Sequence, residues 1–154
     1  MAIGTNTATW YYGTEDAADD GATQTVADGA YSNDPATWTN DDDAPYASFT
    51  LKFQYPSGTI DTGGIHLFAR LLNNSTTVDE PVPSANWLGH RLGTFDTGTG
   101  MAATTDYAVV LGPVELPNKK TSQEYEFYFK NDCNVTISAS WVLTVTPMAY
   151  GPNA

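Results

Sequence analysis

Over residues 135–146 the chain alternates with a period of two. Val135, Ile137, Ala139, Trp141, Leu143 and Val145 fall on one side, and mostly Thr and Ser on the other. That pattern suits an extended strand with one face buried and one in water, because successive side chains of a strand point to opposite faces. Three further runs repeat it. Residues 47–55 place Phe49, Leu51, Phe53 and Tyr55 together, and residues 123–130 do the same with Tyr125, Phe127 and Phe129. Residues 64–72 alternate with apolar side chains on both faces, as a central strand or one at an interface would. Nowhere does a dozen residues hold a clean helical period.

Weaker strand signals lie at residues 7–12, 22–27, 87–95 and 106–111, giving about eight strands. Turn residues separate most of them, among them Pro56-Ser57-Gly58, Gly63-Gly64, Pro117-Asn118 and Asn131-Asp132. Many short strands with one apolar face each predict two packed antiparallel sheets. The expected fold is therefore an all-β antiparallel sandwich, jelly-roll or Ig-like, with the strand order left open. A length of 154 residues fits one domain, 1–154, with residues 1–6 and 147–154 expected as flexible arms. Two stretches resist the alternation: the acidic segment 31–44, which contains Trp38, and the segment 73–85 with Pro81 and Pro83. Long loops in a compact domain commonly carry function.

The charge narrows the partners. Eighteen acids against six bases give a net charge of −12. Such an anion repels phosphate backbones and anionic bilayers, so neither nucleic acid nor membrane is expected as a partner. No Lys or Arg precedes Lys52, whereas Glu15, Asp16, Asp19, Asp20, Asp28, Asp34, Asp41, Asp42 and Asp43 all do. This reads as a solvated face, or as an acidic skin that meets a basic partner. The Asp41-Asp42-Asp43 run lacks the spacing of a calcium loop ending in a bidentate Glu. Residues 1–5 show neither a basic stretch nor an apolar one, so synthesis in the cytoplasm is expected. Cys133 is alone, so no internal disulfide forms, and its apolar setting reads as a buried small hydrophobe.

Groups suited to catalysis are few in this chain. His66 lies mid-strand and His90 beside Arg91, and with Cys133 they match no zinc spacing. Glu124 and Glu126 stand two apart on one strand face, roughly 7 Å, inside the range for an inverting glycosidase pair. Alternation opposite Tyr125, Phe127 and Phe129 accounts for them equally well. Gly98-Thr99-Gly100 has neither the Lys nor the helix of a phosphate-binding loop. The Asn73, Asn74 and Asn134 sequons bear only on a secretory route. No catalytic residue, metal or cofactor is expected. What remains is aromatic: Trp10, Tyr11, Tyr12, Tyr31, Trp38 and Tyr46 sit among polar and acidic residues rather than in core stripes. Aromatics of this kind anchor interfaces.

The block Leu67-Phe68-Ala69-Arg70-Leu71-Leu72-Asn73, then Asp79-Glu80-Pro81-Val82-Pro83-Ser84-Ala85-Asn86-Trp87, then Leu92-Gly93-Thr94-Phe95 resembles small structural proteins of tailed bacteriophages. Residues 126–131 and 137–145 are similar to the same group. The resemblance implies a non-enzymatic virion component. First comes a capsid decoration (cement) protein that binds the major capsid protein on the outside of the head; a minor tail or fibre-associated protein follows. Decoration proteins commonly form trimers, so a homotrimer is expected. Its contacts would involve the acidic N-terminal third and the 73–87 loop, which adds Pro81, Pro83 and Trp87 to the interface candidates. Deleting residues 1–20 is then expected to weaken particle binding and spare the core. The alternative from another class is a carbohydrate-binding β-sandwich module.

Overall fold

Aromatic and aliphatic side chains from the alternating runs meet face to face in a computed structural model that describes residues 8–60, 63–74, 78–85, 89–98, 100–118 and 120–152. Nine strands are seen among these residues: β1 (Ala8–Tyr12), β2 (Asp16–Gly21), β3 (Trp38–Thr39), β4 (Tyr46–Phe53), β5 (Ile65–Leu72), β6 (His90–Phe95), β7 (Tyr107–Glu115), β8 (Glu124–Asn131) and β9 (Trp141–Pro152). They form two antiparallel sheets. The first has the order β1-β9-β4-β7, with β2 also on β9, and the second the order β3-β8-β5-β6.

The pairing is nested: β5 with β6, β4 with β7, β3 with β8, and β2 with β9. A long antiparallel ribbon folded over on itself has this order, closed by the further pairs β5 with β8 and β4 with β9. The all-β sandwich is thus a jelly roll in its strand order, not the Ig-like arrangement. β1 is an addition to it. β2 pairs with the first half of β9 and β1 with the second, so the two follow each other along one edge of that long strand.

The core is built by the predicted faces. Phe49, Leu51, Leu143, Val145 and Trp141 of the first sheet meet Ile65, Leu67, Phe127 and Phe129 of the second, all essentially inaccessible to water. Phe49 meets Phe127 edge-on at 4.8 Å, and Phe129 meets Trp141 at 4.8 Å and 87°. Each such side chain contributes about 1.5–3 kcal/mol by burial, and an edge-on aromatic pair about 0.5–1.5 kcal/mol more. β5 is central, one of the two settings its two-faced apolar pattern suited, and outward-facing Phe68 is covered by Tyr31 at 5.6 Å.

Several expectations are corrected. Residues 22–27 form no strand; only Val26 bridges, to Ile137, after a turn in which Gln24 N–H donates to Gly21 O. The run 135–146 is divided, since positive φ at Ser140 breaks the extended backbone and β9 starts at Trp141. Its far end is no arm: residues 147–152 continue β9, beside β4 as far as Met148 and beside β1 from Met148 to Pro152. Pro147 is tolerated inside this strand for a local reason. Its carbonyl accepts from Gly13 N–H, so its missing N–H points to the same edge, at the gap between β1 and β2 where the ladder is interrupted anyway. The proposed arm 1–6 lies outside the described residues, as does Trp87.

β2 was hidden from a periodicity argument because it carries a bulge. The register against β9 shifts between Ala17 and Asp19, and Ala18 and Asp19 are consecutively buried. This also corrects the expectation for a deletion of residues 1–20. That truncation would remove β1 and most of β2 and uncover one whole edge of β9, so it tests folding and not docking.

Candidate functional site

The interface candidates separate into distinct places. Trp10, Tyr12 and Tyr46 come together on the outer face of the first sheet. Across neighbouring strands Glu115, Tyr46, Met148 and Tyr12 occupy one row, with Trp10 and Tyr150 paired in the next. Directly opposed positions share a face, and Tyr46 alternates with inward-facing Ala47, so this face is the outer one. Trp10 lies edge-on to Tyr46 at 5.2 Å and tilted on Tyr150 at 5.0 Å. Beneath them Met148 is 2% exposed, while Tyr12 is 67% and Tyr150 57% exposed. The result is an aromatic platform that has its own small apolar floor.

Around the corner of β1, exposed Tyr11 lines a hollow with Pro45, Pro147 and Ala149, bordered by Asp42 and Asp43. The acidic run there is a turn. Asn40 Nδ2 donates to Ala44 O and its Oδ1 accepts from Ala44 N–H, both at 2.9 Å. Asp43 adopts positive φ and accepts from Ser122 N–H at 2.7 Å, and Asp41 and Asp42 beside it are exposed. Aromatic rings and exposed carboxylates therefore adjoin on this end of the molecule. Sequence reasoning missed Met148 and Tyr150, because Pro147 reads as the end of a strand.

Trp38 is corrected from interface to core. It is 6% exposed and tilts against Tyr125 and Phe127 at 5.7 and 5.8 Å, with Nε1 donating to Asp16 at 3.4 Å. Its polar neighbours in sequence hid this, since β3 is only two residues long and offers no alternation to read. Trp38→Ala is expected to cost about 3–5 kcal/mol of stability, whereas an interface residue would cost little. Urea unfolding of the isolated protein separates the two.

Tyr31 and Pro83 lie elsewhere again, on a cleft over the outer face of the second sheet; Pro81 is exposed beside it. The side chains considered for chemistry are engaged one by one. Glu126 accepts from Arg70 Nη1 at 2.6 Å and from Tyr128 OH at 2.7 Å, and Glu124 accepts from Asn73. His66 Nδ1 lies 2.9 Å from Thr94 Oγ1, and burial together with the Arg91 charge pulls its pKa below the usual value. His90 meets Glu80 at 2.8 Å. Burial pushes the Cys133 thiol up, which disfavours the thiolate. Among the described residues no three His, Cys, Asp or Glu side chains are grouped so as to hold a metal ion, and no helix is long and apolar enough to cross a membrane.

Comparison of the chain with protein-family models, curated protein sequences and solved structures gave no match.

Proposed function

We propose that this protein is a non-enzymatic structural component of a tailed-phage particle, a decoration protein that binds the outer surface of the head. The observation that carries a docking role is the platform of Trp10, Tyr12, Tyr46 and Tyr150 with carboxylates beside it. Exposed tyrosines give large contact area at low entropic cost, and their enrichment at interface centres is general. A rim containing Glu115, Asp42 and Asp43 favours a basic partner over a second copy of a chain whose net charge is −12. The phage assignment itself rests on the resemblance of the segments 67–95 and 126–145. The separate hydrogen-bonding duties of Glu124, Glu126, His66 and His90 support a role without chemistry of its own.

The test is sedimentation of the protein with undecorated phage heads, alongside its mass in solution. Saturable co-sedimentation is expected, with a trimer as the free species. The double variant Tyr12→Ser, Tyr150→Ser should keep its fold and bind about 30-fold more weakly or worse, since two hot-spot tyrosines are removed. Wild-type protein that stays in the supernatant would remove the decoration reading, and the same assay with isolated tails would then address a tail or fibre position.

A further inference from the structure

On the opposite face of the sandwich a second feature points to a ligand of a different kind. The edge of the second sheet runs beside β8 at Tyr31 and Ser32, leaves it at Asn33 and returns at Trp38. The detour stands above the sheet and is turned by Asp34 at φ 53°. A second wall is the segment carrying Val82 and Pro83. It is held through Glu80, whose carboxylate accepts from Leu71 N–H at 2.9 Å and whose carbonyl accepts from Arg70 Nε at 2.6 Å. Between the walls lies a cleft of about 530 Å³, in the usual size range for small-molecule sites.

Its floor is a fixed donor and acceptor pair. Arg70 and Glu126 are 15% and 16% exposed and joined at 2.6 Å, so neither swings freely. Arg70 Nη1 and Tyr128 OH both donate to the same oxygen of Glu126, Oε2, leaving Oε1 out of both bonds. Arg70 Nη2 sits 3.9 Å from Asp79, outside hydrogen-bond range. Guanidinium N–H and carboxylate oxygen side by side match two neighbouring hydroxyls, each of which accepts from one and donates to the other. Tyr31, half-buried and braced edge-on by Phe68, supplies a flat apolar wall for the C–H face of a ring. Glu126 offsets Arg70, and Asp34 and Asp79 add negative charge, so an anionic ligand is repelled.

We propose that this cleft binds a neutral saccharide, gripping a vicinal diol between Arg70 and Glu126 with the sugar ring against Tyr31. The site shares no residue with the aromatic platform, so one face can dock while the other meets a sugar.

Saturation-transfer NMR and calorimetric titration test this. The probes are methyl glycosides of glucose, galactose, mannose and N-acetylglucosamine, together with lactose, cellobiose and maltose. Glucuronate and inorganic phosphate serve as anionic controls. At least one neutral sugar should bind with a Kd of about 1 mM or tighter. Tyr31→Ala should weaken it about ten-fold and Tyr31→Phe should restore it, since the ring and not the hydroxyl makes the wall. Glu126→Gln keeps the side chain's size and an oxygen for Arg70 but turns the second carboxylate oxygen from acceptor to amide donor, and serves as a second variant should Tyr31→Ala not fold; it should weaken binding several-fold. The proposal is overturned by absence of binding to every neutral sugar, by preference for the anions, or by binding that both folded variants leave unchanged. The Tyr12→Ser, Tyr150→Ser protein should bind sugar normally, and Tyr31→Ala should still sediment with heads, so failure of either reading is seen separately.

Discussion

Replacing Asp19 by Asn is expected to raise the unfolding free energy at pH 8 by about 2–4 kcal/mol and to leave it nearly unchanged at pH 4. The β2 bulge turns this carboxyl inward, where it is 2% exposed. One oxygen accepts from Asp20 N–H at 2.7 Å, and the other has no hydrogen-bond partner among the described residues. Burial pushes the carboxyl up to about 7 from 3.8, against the Asp20 amide and the nearby Ser32 hydroxyl, which lower it, and with help from the charges of Asp20 and Asp34. The sign follows from where the proton binds more tightly. Unfolded, the group titrates near about 3.9, so between pH 4 and 7 the folded state holds a proton that the unfolded state has released. The stability this group allows is therefore highest below pH 4, falls as pH rises through 7, and stays reduced above it. The substituted side chain carries no charge to bury, and its carbonyl oxygen can still accept from the Asp20 amide. Urea unfolding of both proteins across pH 4–8 gives the difference. A difference that does not change with pH would mean that Asp19 is not charged in a dry site.

The second large effect is steric. Gly21 lies directly opposite Trp141, whose indole covers it. A Cβ added at Gly21 would come 2.0 Å from Trp141 Cε2 and 2.1 Å from Nε1. The ring cannot easily retreat, because Nε1 donates to Gln24 O at 3.0 Å and its edge meets Phe129. Gly21→Ala is expected to cost about 3 kcal/mol or more, from overpacking and the loss of that hydrogen bond. Trp141→Ala should cost about 3–5 kcal/mol through the cavity it leaves. The double variant should cost less than the sum, because the new methyl then enters vacated space. A double-mutant cycle by chemical denaturation reads this coupling directly. Strict additivity would mean that the two residues do not share the space the structure gives them.

Residue pattern alone determined which faces are buried and that the chain is a sandwich. Phe49, Leu51 and Phe53, or Tyr125, Phe127 and Phe129, must share a side because a strand alternates with period two, whatever its neighbours are. The same periodicity is silent about partners. Only tertiary structure nested the strands into a jelly roll, since pairing joins residues far apart in the chain. It also decided where the rule fails: a bulge buries the Asp19 carboxyl, a two-residue strand takes Trp38 into the core, and a gap in the ladder lets Pro147 continue β9. That last exception carries Met148 and Tyr150 up to Trp10, and so completes the aromatic platform. Likewise Tyr31, Arg70 and Glu126 are ordinary residues of separate segments. They become the lining of a cleft only because β5 and β8 lie side by side and an edge detour stands above them.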